Sequence, residues 1–178
     1  SDHGEGLGDH GEEEHGVFLY REAIRVPLML KLPGSAERGR TIEQPVQLID
    51  VFPTITQLVG ATSPQSLRGR SLLSTDKTPR RIYGETMLPR IHFGWSELRS
   101  LVDERHHIID APRPELYDLN ADPGETKNLR AEQRRVFAAM KEELDGHPSE
   151  MTAVSAVDPE EAARLAALGY VGSVRIGD

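Results

Sequence analysis

Four short strand signals, at residues 81–86, 98–103, 106–110 and 115–119, follow one another closely and are spaced as an antiparallel meander. Glu104 and Arg105 supply a tight hairpin between the middle pair. An antiparallel sheet needs one face covered, and the chain provides the cover a few residues later. Leu129, Val136, Phe137, Met140 and Leu144 fall on one stripe at helical spacing, whereas Glu132, Arg135, Lys141 and Glu142 lie elsewhere, so a helix is predicted from about Asn128. A last helix is announced by Asp158-Pro159-Glu160-Glu161, which joins an N-cap residue, a first-turn proline and a capping-box glutamate, and it ends at Gly169.

The residues before the meander read differently. Residues 17–20 form a helical or turn segment, and 26–32 read as a mostly buried strand, with Pro27 at its start and Pro33-Gly34 at its end. Asp50 is placed to cap a helix running through Val51, Ile55, Leu58 and Val59, with Pro53 in the first turn and Gly60 as the stop. Residues 61–80 lack periodicity and are rich in Ser, Thr and Pro. A boundary is therefore expected there, dividing a first part (1–75) that belongs to an α/β domain from an α+β part (76–178) with the antiparallel sheet and the tail helix.

With 178 residues, 37% of them hydrophobic and 28% charged, the chain can bury a core. A net charge of −8 argues against nucleic acid or an anionic membrane as partner, since either would need clustered Lys and Arg. Arg68, Arg70, Lys77, Arg80 and Arg81 make the one basic cluster, expected to be a solvated face. The absence of Cys excludes a disulfide framework, a Cys-ligated zinc and a thiol nucleophile. No apolar run is long enough to span a membrane.

Chemistry concentrates in the first sixteen residues, where Ser1-Asp2-His3-Gly4-Glu5, Gly8-Asp9-His10-Gly11 and His15-Gly16 combine metal-binding side chains with glycine. Asp2 and His3 can both face one cation only if the backbone bends sharply, which Gly4 permits. The bland reading is a surface turn. Glu5, Glu12, Glu13 and Glu14 read as a solvated run, Arg25 as the partner of a carboxylate, and Tyr117 and Asp118 as architectural. Trp95, with His92 and Phe93, shapes a substrate-facing loop or plugs an apolar gap.

Several of these segments together resemble the C-terminal half of a sulfatase of the alkaline-phosphatase superfamily. They are residues 1–5, the run from His15-Gly16 through Leu19-Tyr20 to Arg25-Val26-Pro27-Leu28, and Ile49-Asp50-Val51-Phe52-Pro53-Thr54-Ile55. Further along come Glu115-Leu116-Tyr117-Asp118-Leu119 with Asp122, Pro123, Glu125, Asn128 and Leu129, and the ending around Leu168-Gly169-Tyr170. The resemblance implies an alkaline-phosphatase-like α/β sandwich with a small α+β subdomain, and a periplasmic or secreted hydrolase of sulfate esters, carbohydrate esters among them. It also implies one divalent cation, usually Ca²⁺, with Mn²⁺ or Zn²⁺ as alternatives, bound at the positions of Asp2 and His3. The nucleophile of such enzymes is a formylglycine made within a Cys/Ser-x-Pro-x-Arg motif. No proline here has that context. The resemblance therefore places the nucleophile and a further carboxylate pair in an N-terminal part of the same protein, upstream of this sequence, and leaves the isolated fragment inactive.

Cleaving a sulfate ester loads negative charge onto the sulfate oxygens and the departing alkoxide, which a cation and fixed donors stabilise. Family members often hold the sulfate with a Lys before the Arg-Val-Pro stretch, but no Lys occurs before Lys31. His15 takes that role, as neutral donor or imidazolium, against the alternative of a structural histidine. His10 is the second candidate, for substrate contact or leaving-group protonation. A phosphoester or phosphonate-ester hydrolase of the same superfamily is the nearest rival, and a non-catalytic module that completes a cleft is the rival in kind.

Overall fold

The computed structural model describes residues 1–148 except 63, 65 and 77, together with Glu160, Arg164 and Ala167. Two units separate by their contacts, Ser1–Gly146 and His147–Asp178. In the second unit Glu160, Arg164 and Ala167 are helical, and Arg164 Nη2 donates to Glu160 Oε1 at 2.8 Å. The rest of the expected tail helix lies outside the described residues.

The first unit is built on a four-stranded antiparallel sheet in the order β1-β2-β3-β4, with β1 at Ile82–Thr86, β2 at Leu98–Val102, β3 at His106–Asp110 and β4 at Glu115–Asp118. Direct partners share a face of such a sheet, so the registers Leu101↔Ile108↔Leu116 and Val102↔His107↔Tyr117 define its two sides. On the first side a helix of Arg134–Asp145 crosses the strands, and Leu101, Ile108, Leu116, Met140 and Leu144 close into a fully buried core. Each of these side chains contributes about 1.5–3 kcal/mol by leaving water.

That helix starts later than predicted. Leu129 N–H donates to Leu116 O at 2.7 Å and Leu116 N–H to Asn128 Oδ1 at 3.2 Å, so residues 128 and 129 are tied to β4 and the helix begins only after a further turn. The β2–β3 hairpin forms as expected, with Asp103 Oδ1 accepting the N–H groups of Arg105 and His106.

Among the described residues three α-helices precede it, α1 at Arg21–Ile24, α2 at Val51–Leu58 and α3 at Leu88–Phe93, so the helix over the sheet is α4. Gly60 ends α2 in the left-handed conformation (φ +67). Asp50 does not cap α2 with its side chain. Its fully buried carboxylate instead accepts the backbone N–H of Gln47 and Arg70 and the guanidinium of Arg80. Burial opposes ionisation of Asp50, but Arg80 and the two N–H donors outweigh it and hold the group below its usual value. The basic cluster is thus not simply a solvated face, since Arg70 approaches Asp76, and Arg81 pairs with Asp103 and Glu143.

Residues 26–32 form no strand. The segment has no ladder partner among the described residues, and Leu28, Met29 and Leu30 stand exposed, Met29 at 91%. A hydrophobic run becomes a strand only where a neighbouring backbone pairs with it. The segment before Trp95 forms α3, and Phe93 and Trp95 pack ring to ring at 4.9 Å with both exposed.

Candidate metal centre

The second side of the sheet carries the glycine-rich opening of the chain. Tyr20 Oη donates to Glu115 Oε2 at 2.9 Å and stacks edge-on with Tyr117 at 6.2 Å, while the Thr86 hydroxyl bonds the Gly16 carbonyl. Burial, and the Glu115 carboxylate beside them, raise the pKa of both Tyr20 and Tyr117. Glu125, on the turn after β4, makes a further link. Its buried side chain accepts Arg21 N–H at 2.7 Å through Oε2 and bonds His107 Nδ1 of β3 at 2.5 Å through Oε1. Glu125 holds a left-handed backbone (φ +51), rare outside glycine, to reach that position.

Within the loop the backbone doubles back on itself. Gly4 N–H donates to Ala23 O at 2.8 Å, Glu5 N–H to Glu22 O at 3.1 Å and Gly6 N–H to Glu14 O at 2.7 Å. Glycine is required at positions 4 and 6 by this close approach, because a Cβ would lie 1.8 Å from Glu22 O at the first and 2.2 Å from Glu12 O at the second. Glu12, far from being solvated, is buried, and its carboxylate accepts the N–H groups of Val17 and Phe18. Glu13 and Glu14 are exposed, as expected.

These constraints bring His3, Glu5 and His15 together. One ligand atom from each lies within 4.8 Å of the other two, the His3 and His15 rings stack at 3.7 Å, and His15 Nδ1 approaches Glu5 Oε1 at 3.3 Å. A carboxylate can only accept, so the proton of that contact sits on His15 Nδ1. Asp2 stands beside the cluster, its side chain 87% exposed and Oδ1 3.9 Å from His3 Nε2. A hydrogen bond from its own backbone, and next the His3 charge, lower the Asp2 pKa. Two imidazole nitrogens and one carboxylate oxygen suit Zn²⁺ or Mn²⁺, whereas Ca²⁺ takes six to eight oxygens.

His10 is not in the cluster. Its Nδ1 lies 2.6 Å from Glu22 Oε1, its Nε2 3.2 Å from Glu125 O, and its ring stacks on Tyr20 at 3.7 Å. Burial works against its protonation, but Glu22 and the Glu125 carbonyl prevail and raise its pKa above the ordinary imidazole value. Arg25 pairs with no carboxylate among the described residues, contrary to expectation. Glu5 was missed because three further glutamates follow it closely; its position two residues after His3, between two glycines, was the available signal.

Residues 8–150 match the family described as N-sulphoglucosamine sulphohydrolase, C-terminal. The chain is 33% identical over 135 residues to the uncharacterized sulfatase YidJ of Escherichia coli, covering 72% of this chain and 27% of that protein. It is 26% identical over 164 residues to the delta 4,5-hexuronate-2-O-sulfatase of Bacteroides thetaiotaomicron, covering 83% and 33%. Among solved structures, the phosphonate monoester hydrolase of Agrobacterium radiobacter superposes with a TM-score of 0.68 at 28% identity, over 82% of this chain and 33% of that one. The chain thus spans about a third or less of the length of these relatives. The matched residues, with the sheet and the loop they build, show that the chain belongs to the sulfatase family of the alkaline-phosphatase superfamily, as its C-terminal portion.

Proposed function

We propose that this chain is part of a metal-dependent sulfate-ester hydrolase, and that the convergence of His3, Glu5 and His15 on one point of the braced loop is the observation that carries the reading. Asp2 and His3 hold a divalent cation, with Glu5 and His15 at its side. A bound cation would supply charge neutralisation of the sulfate oxygens. The nucleophile, a formylglycine, comes from an N-terminal part of the protein outside this sequence.

The chain's own residues position and donate. With Nδ1 turned to Glu5, His15 presents Nε2 to the cation or to a sulfate oxygen. His10, engaged at both nitrogens, is better suited to hold the loop than to exchange protons with a leaving group. The hexuronate sulfatase likeness supports a sulfated carbohydrate as substrate.

A metal titration of the complete protein tests the reading, with Asp2→Ala, His3→Ala and Glu5→Ala compared with wild type. A drop in cation affinity of about tenfold or more in Asp2→Ala, His3→Ala and Glu5→Ala is expected. Unchanged affinity in all three variants would remove the cluster from the site. The likeness to the phosphonate monoester hydrolase favours a second reading, in which the ester is a phosphonate or phosphate. Turnover of phenyl phosphonate esters with no turnover of aryl sulfates would establish it.

A further inference from the structure

Arg21 and Arg25 line one side of an open cleft of about 750 Å³ on the first unit, shared with Asp9, His10, Glu22 and Glu125. They stand four residues apart, at the start of α1 and at its C-terminal cap. Like charges at that spacing repel, and neither guanidinium has a carboxylate or carbonyl partner among the described residues. By contrast, Arg80, Arg81, Arg99 and Arg105 all pair with acids.

The acids of the cleft do not cancel the pair. Glu22 is committed to His10, and the Glu125 carboxylate to His107 and to the backbone of Arg21. Asp9 alone is uncommitted, so two free cations face one free anion. Burial, with Arg25 next, lowers the Arg21 pKa against the opposing pull of the Glu125 charge.

The cleft adjoins the metal-ligand cluster through the backbone. Gly4 and Glu5 are bonded to Ala23 and Glu22, and Arg21 and Arg25 each lie two residues from Ala23. Two residues span at most about 7 Å. The backbone that carries the two arginines is therefore bonded directly to the backbone that carries the cluster.

We propose that the Arg21–Arg25 cleft binds a second anionic group, carboxylate or sulfate, of the carbohydrate whose sulfate ester is presented to the His3–Glu5–His15 cluster. This rests on the sulfate-ester reading above. Two planar guanidinium forks match the paired oxygens of either anion, and they recognise charge that a small aryl ester lacks.

The test uses the complete protein as wild type, Arg21→Gln, Arg25→Gln and the double variant, with thermal melts to confirm folding. The probes are 4-nitrophenyl sulfate, with one anion, and a disulfated disaccharide carrying a uronic carboxylate, with inorganic sulfate as a calorimetric control. In the double variant KM and Kd for the disaccharide should rise about tenfold or more, the loss of a charge-assisted contact, while kcat and all constants for 4-nitrophenyl sulfate stay put. Equal effects on both esters, or none on the disaccharide, would overturn the proposal. So would inorganic sulfate binding that depends on the two arginines while disaccharide binding does not. If wild type hydrolyses neither ester, the hydrolase reading falls; Arg-dependent disaccharide affinity would then still uphold the anion site.

Discussion

Glu125 ties the opening loop to the sheet, since one carboxylate joins the backbone of Arg21 to the ring of His107 and its own carbonyl receives His10. Removing the acceptor leaves two donors, Arg21 N–H and His107 Nδ1, without their partner in the interior, so Glu125→Ala should cost about 1–3 kcal/mol for each in urea unfolding and Glu125→Gln less. A cost below about 1 kcal/mol would show that the pair is dispensable. His10 makes a pH prediction of definite sign. Its folded pKa is raised, so its contribution is complete below the unfolded value of about 6.5 and fades as pH climbs through the folded one. The stability gap between wild type and His10→Asn should therefore narrow from pH 6 to pH 8.5; a gap that widens would reverse the sign. Glu125 and Asp50 were hard to read from sequence for a shared reason. A carboxylate before a helix or after a turn reads as a cap or as solvated, and only the folded chain reveals that a distant arginine or histidine arrives.

The strands of the meander were legible because each contains enough information to declare itself, an alternating run bounded by turn residues, and their pairing is local. Residues 26–32 looked as apolar as any strand, yet pairing belongs to two backbones and the run describes one. The start of α4 was misplaced because Leu129 has the helix's periodicity but bonds to β4. The loop's shape was legible in its glycines, the identity of its cluster only in part, since His3 and His15 were singled out and Glu5 was not. Gly4→Ala should push residues 4–5 away from 22–23 and cost about 1–3 kcal/mol or more, with a matching fall in cation affinity. Normal stability with normal affinity would contradict the close approach. At the other edge of the unit, Arg80→Ala should leave the Asp50 carboxylate uncompensated and cost about 3–5 kcal/mol near neutral pH. Because the folded Asp50 pKa is lowered, wild type loses this advantage as pH falls below about 3.9, and the two proteins should converge in acid.

Across the whole molecule, Leu48, Ile49, Phe52, Ile55 and Val59 of α2 and its approach, and Leu28, Met29 and Leu30 of the unpaired run, are all exposed. Exposed apolar side chains in this number favour association. The 178-residue chain by itself should associate in a concentration-dependent way in light scattering, and Met29→Lys with Phe52→Glu should suppress it. A monodisperse wild-type monomer at high concentration would refute this. No helix among the described residues is long and apolar enough to cross a membrane. The sheet, meanwhile, uses its two sides unequally, one sealed by α4 and the other supporting the histidine loop through Glu115, Glu125 and Thr86. A protease nick within residues 61–80 would therefore sever the polypeptide without releasing the loop, because the grip on it comes from the far side of the cut.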